Sequence, residues 1–107
     1  ERSRRVKVRR QRQMRNRAIR RFTKAMASEL AADGVRMKAI APGVITTPMT
    51  ETTRENADAS ARFMGHTPLG GVGGADELVG PVLFLVSEMS SYVTGVLLPV
   101  DGGYLTV

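Results

Sequence analysis

Apolar positions are unevenly spread along this chain of 107 residues. Residues 1 to 17, ERSRRVKVRRQRQMRNR, offer only Val6, Val8 and Met14 as large apolar side chains, too few for a buried face. From 18 to 33 the pattern changes: Ile19, Phe22, Met26 and Leu30 recur at three- and four-residue steps and predict an amphipathic helix. Ala27 and Ala31 flank that stripe, and Gly34 is placed to close the helix as a left-handed cap. Val35 to Ala41 reads as a strand, and Pro42, which cannot donate a ladder hydrogen bond, ends it. A helix followed by a strand after so short a link is the unit of a parallel α/β sheet.

Beyond Pro42-Gly43 the pattern turns polar. Thr47 stands where a helix N-cap belongs, with Pro48 at the first helical position. Residues 48 to 65 are weakly periodic and predict a short, mobile helix; 66 to 75, HTPLGGVGGA, predict a loop. Asp76 and Glu77 suit the start of a helix that runs to Ser87 and buries Leu78, Val82, Leu85 and Val86. Gly80-Pro81 inside it predicts a kink or a start at Pro81. Tyr92 to Gly95 reads as a turn, and Val96 to Val100 as a last strand.

Charge sharpens the division. Residues 1 to 24 hold 12 of the 16 Lys and Arg and a single acid, Glu1; the remaining residues carry a net charge of −5. Three readings of residues 1 to 17 stay open: a solvated tail or a basic extension of the next helix; an arm for nucleic-acid phosphates, reaching to residue 24; or a stretch that is not native coding sequence. The absence of cysteine removes disulfides and thiolate metal sites. His66 is the only histidine and has no metal-ligand partner at a useful spacing, so no metal site is expected. There is no run of 18 apolar residues and no charged-then-apolar leader, so the expectation is a cytoplasmic protein without membrane contact.

The candidate chemistry lies in AIAPGVITTPM, residues 39 to 49. Gly43 lacks a Cβ and would let another molecule lie against the backbone. Carboxyl ends of strands are where open α/β sheets bind ligands. The plainer alternative is that Pro42-Gly43 only ends a strand and Thr47 only caps a helix. PLGGVGGADE does not make a phosphate loop: after Gly71 and Gly73 the third glycine position is Asp76, whose charge would repel a diphosphate.

IAPGVITTPM resembles the segment after the sixth strand of short-chain dehydrogenases/reductases. FTKAMASELAADGVRMKAIAPG is similar to that family's fifth helix and sixth strand, and LVGPVLFLVSEMSSYVTGVLLPVDGG to its last long helix, seventh strand and closing Asp-Gly-Gly. The resemblance covers residues 18 to 107. It implies an α/β fold: the C-terminal part of a Rossmann-like, doubly wound parallel sheet, with two parallel strands and flanking helices. It implies an oxidoreductase using NAD or NADP, with Pro42, Gly43, Val44, Ile45 and Thr47 as cofactor-binding residues. In that family the backbone at the positions of Val44 and Ile45 and the hydroxyl at Thr47 hold the nicotinamide carboxamide. VTGVLLPVDGGYL resembles members acting on gluconates and related sugar acids. Where the family often has Pro-Leu-Gly-Arg, this chain has Gly71 in place of the arginine.

The resemblance also exposes a gap. Family catalysis uses Tyr-x-x-x-Lys, the Tyr giving the proton and the Lys lowering its pKa. Those slots fall on Arg12 and Asn16 here, and neither Tyr92 nor Tyr104 has a lysine four residues on. No catalytic residue is therefore assigned. The glycine-rich dinucleotide turn has no counterpart in the sequence either. The expectation is a fragment, inactive as this chain, poorly stable as a monomer, and docking through 78 to 104 on itself or on intact family members.

Overall fold

The computed structural model describes residues 2–48 and 55–106. Helix α1 spans Arg2–Leu30, strand β1 Lys38–Pro42, helix α2 Ala57–His66, helix α3 Val79–Val86 and strand β2 Val96–Val100. β1 and β2 form one two-stranded sheet. Gly95 N–H bonds the Met37 carbonyl at 2.7 Å just before the strands, and Gly43 N–H bonds the Val100 carbonyl at 2.9 Å just after them. The strands therefore run in the same direction, as the resemblance implies. The chain divides into two compact units, Glu1–Ala39 with Tyr92–Leu98, and Ile40–Ser91 with Pro99–Val107.

In the first unit α1 is one continuous helix through the basic segment, 29 residues long. The face it buries differs from the expected stripe. Thr23 (2% exposed) and Ala27 (4%) are buried, Met26 and Leu30 are half-buried, while Ile19 and Phe22 (59%) are exposed. The packing is set by small residues. A Cβ on Gly95 would lie 3.5 Å from the Ala27 Cβ and 3.8 Å from the Lys24 Cα, so the helix backbone lies close to the turn before β2. A large side chain at 27 would hold it away. Burying a threonine costs little because its Oγ1 donates to the Ile19 carbonyl at 2.7 Å, one turn back.

The end of α1 matches the expectation. A 3₁₀ turn, Ala31–Asp33, tightens it, and Gly34 takes φ 72° and ψ 18°. Its N–H bonds the Ala31 carbonyl at 3.0 Å and Val35 N–H bonds the Leu30 carbonyl at 3.2 Å, a paired closure of otherwise orphaned carbonyls. β1 starts at Lys38, three residues later than expected, and does end at Pro42.

In the second unit a 3₁₀ turn, Ala75–Leu78, leads into α3. The α-helical part starts at Val79, two residues before Pro81 and not at it, so that Pro81 falls in the first turn, where its missing N–H breaks no bond. Ser90 and Ser87 hydroxyls close its far end, on the Leu85 carbonyl at 3.0 Å and the Phe84 carbonyl at 3.1 Å. The expected burial along α3 is not met. Leu78 and Leu85 are half-buried, but Val82 and Val86 (72%) are exposed, with Val79 and Leu83 beside them. Among the described residues the only buried apolar side chains are Ala27 and Ile45 (7%). The helix expected over 48 to 65 is found as α2, with His66 as its last residue and not in the loop. The start expected at Thr47-Pro48 leads into 49–54, outside the described residues.

Candidate functional site

The site is built where the strands end in the second unit. Pro42 is exposed at the tip of β1. A Cβ on Gly43 would lie 2.7 Å from the Asp101 Cα and 2.8 Å from its Cβ. On the Cβ side, the space Gly43 opens is filled by the chain's own Asp101. Absence of a side chain at 43 lets Pro42-Gly43 and Val100-Asp101 lie together.

Past Gly43 the backbone pairs with the glycine-rich loop. Gly73 N–H bonds the Val44 carbonyl at 3.0 Å, Thr46 N–H bonds the Gly73 carbonyl at 2.8 Å, and Ile45 and Gly73 form a parallel bridge. Gly70 and Gly71 both have φ +74°, a conformation that costs glycine little, and so turn the loop toward this pairing. The role of these glycines is thus to lay a strand-like edge on Val44–Thr46.

The Asp-Gly-Gly end completes the rim. Asp101 accepts from Gly103 N–H at 2.9 Å and, through its other oxygen, from Leu105 N–H at 3.0 Å. Those bonds fasten the last turn, Tyr104–Thr106. Leu69 N–H bonds the Gly102 carbonyl at 3.0 Å, and Pro68 packs over Gly103. These parts enclose a cleft of about 430 Å³ whose walls include Val44, Ile45, Thr67, Val72, Pro99 and Asp101.

Of the five expected cofactor residues, Val44 and Ile45 line this cleft; Pro42, Gly43 and Thr47 do not. Thr47 is half-buried beside it in sequence. Nothing in the sequence pattern marks Thr67 and Val72. An isolated bridge such as Ile45–Gly73 leaves no alternation to read, and only the glycine spacing hints that the loop must approach something closely. Asp101 belongs to a recognisable closing signature, but its approach to Gly43 joins positions 58 residues apart. Among the described residues no group of three or more His, Asp or Glu could hold a metal ion. No described helix is long and apolar enough to cross a membrane.

Comparison with known proteins decides the ancestry. A family model described as enoyl-(acyl carrier protein) reductase matches residues 12–105. The chain belongs to the short-chain dehydrogenase/reductase family. A galactitol 2-dehydrogenase (L-tagatose-forming) of Cereibacter sphaeroides is 44% identical over 87 residues, which are 81% of this chain and 34% of that protein. A 2-dehydro-3-deoxy-D-gluconate 5-dehydrogenase of Pseudoalteromonas atlantica is 43% identical over 88 residues, 82% of this chain and 35% of the relative. The solved gluconate 5-dehydrogenase of Burkholderia cenocepacia, in complex with NADP and tartrate, superposes with a TM-score of 0.79 at 36% identity over 84% of this chain and 35% of its own. The chain spans about a third of the length of the relatives it matches. The match starts six residues before Ala18, so the family portion of this short-chain dehydrogenase/reductase reaches back into the arginine-rich segment.

Proposed function

We propose that this chain carries the nicotinamide-facing rim of an NAD(P)-dependent oxidoreductase acting on polyols or sugar acids, and that the 107 residues alone perform no hydride transfer. The observation that carries the reading is the placement of Val44 and Ile45 at the carboxyl end of β1, on the wall of the cleft. A carboxamide needs a donor and an acceptor side by side, which backbone groups at 44 and 45 and the Thr47 hydroxyl supply. The fit is partial. The Val44 carbonyl and Thr46 N–H already pair with Gly73. NAD(P), when bound, would supply or accept the hydride. The chain's own part is to orient the nicotinamide ring through Val44, Ile45 and Thr47. The sugar-type substrate class rests on the galactitol and gluconate relatives.

Two measurements on the purified chain test this. Saturation-transfer NMR with nicotinamide mononucleotide and with AMP should show transfer to the nicotinamide ring and none to adenine, and Thr47→Val should weaken the nicotinamide signal several-fold. Absorbance at 340 nm with galactitol or gluconate and either oxidised cofactor should stay at the no-enzyme baseline. Sustained turnover free of host enzymes would overturn the claimed inactivity; equal transfer to AMP would overturn the rim.

A second element of the reading concerns assembly. The exposure of Val79, Val82, Leu83, Val86 and Met89 on and just after α3 favours association through residues 78 to 104, with a second copy or with an intact family member. Light scattering on wild type and Leu83→Glu would read it, the variant shifting toward monomer.

A further inference from the structure

The exposed basic side chains of α1 fall on one line. On a regular helix Arg10, Arg17, Arg21 and Lys24 share a sector of about 60°, and Arg20 widens it to roughly 100°. All five are exposed. From Arg10 to Lys24 the line is about 21 Å long. Residues 2 to 28 contain no acid, so nothing in that stretch of helix offsets the charge. Thr23 and Ala27, the buried positions, lie to one side of it, and at its far end the stem of Lys24 lies beside Gly95 while the residue stays exposed.

We propose that this line binds the phosphate backbone of a nucleic-acid duplex, without reading its sequence. A duplex presents one phosphate charge per about 1.7 Å of axis, so 21 Å of helix faces roughly a dozen phosphates. Five cations on one side of a rigid rod suit that array. The duplex is favoured over a single strand because the only aromatic residue of α1, Phe22, lies about 160° round the helix from Lys24, so no base could stack while the phosphates are held. A bilayer is disfavoured too. The exposed apolar residues Met14, Phe22 and Ile19 spread over about 140° with Arg15 among them, and they form no coherent face to insert. None of the five cations lines the cleft, and the proposal does not depend on the oxidoreductase reading.

The test is fluorescence anisotropy of the 107-residue chain with two unrelated 20-base-pair duplexes between 50 and 300 mM KCl. Five phosphate contacts give a log–log salt slope of about −4.5, which is a loss of several hundred-fold in affinity over a fourfold rise in salt. Both duplexes should bind alike, and the matching single strands more weakly. Arg17→Gln should flatten the slope by about 0.9, whereas Arg15→Gln, off the line, should leave it unchanged, with circular dichroism confirming equal helicity in both. Absence of duplex binding at 50 mM KCl would overturn the proposal. So would equal effects of the two substitutions, or tighter binding to polyglutamate or to phosphatidylserine vesicles than to duplex.

Discussion

The helix α1 and the rim around Gly43 hold themselves together by different means. In α1 the order is local: each backbone bond closes within one turn, and the approach to Gly95 needs only a small residue at 27. At the rim the interactions that bring its parts together join distant positions, 43 to 101, 45 to 73 and 69 to 102. Such pairings require loop-closure entropy to be overcome before they return any stability. The rim should therefore respond sharply to single substitutions, and α1 mildly.

Gly43→Val is the most severe test of that contrast. A Cβ there meets the Asp101 backbone at 2.7 Å, and backbone cannot swing away as a side-chain tip can. The carboxyl ends of β1 and β2 would have to separate, at about 3 kcal/mol or more. Urea titration by circular dichroism should show the midpoint collapse, and saturation transfer to the nicotinamide ring should disappear with it. A destabilisation below about 1 kcal/mol would show that the close approach of 43 and 101 is not part of what stabilises the rim.

Asp101→Ala comes next. It removes both acceptors that fasten Gly103 and Leu105 while leaving the strand pairing intact. Loss of two hydrogen bonds at a half-buried carboxylate should cost about 2 kcal/mol. The effect should be local: hydrogen exchange at Gly103 and Leu105 should accelerate, and exchange along α1 should not change.

How far these interactions are legible in the sequence follows from their range. Gly34 as a left-handed cap, Pro42 as the end of β1 and Val96–Val100 as β2 can all be read, because each is decided by residues within a turn or a strand. The α1 stripe misleads because periodicity marks which side chains are apolar, not which are small enough for close packing; Ile19 and Phe22 dominate the pattern, while Thr23 and Ala27 are the residues buried. The α3 face misleads for a related reason. An apolar helix implies burial, but no surface among the described residues covers Val82 and Val86. Val44 and Ile45, named by resemblance, are found on the cleft wall, whereas the close approach at Gly43 is not legible, since Asp101 lies 58 positions away.

In α1 the matching backbone test is Gly34→Ala. Nothing lies within 4 Å of the added Cβ, so the cost is only that of a left-handed alanine, about 1 kcal/mol. If it approached the effect of Gly43→Val, closure of α1 would be as coupled to distant structure as the rim is.

The smallest effect expected is that of Thr23→Val. Thr23 is almost fully buried, and its hydroxyl donates to the Ile19 carbonyl at 2.7 Å. That carbonyl belongs to the helix ladder, so it keeps a backbone donor when the hydroxyl is removed. Valine retains the volume and both branches at Cβ, leaving no cavity beside Ala27. The hydrogen bond removed is one whose net worth is about 1 kcal/mol, and burial of a methyl in place of a hydroxyl offsets much of it. Stability should therefore change by less than about 1 kcal/mol in either direction. Thr23→Leu, by contrast, adds bulk at an almost fully buried position, and should destabilise by about 1–3 kcal/mol. Equal midpoints for the valine and leucine variants in urea would show that the packing of α1 is not limited by side-chain size.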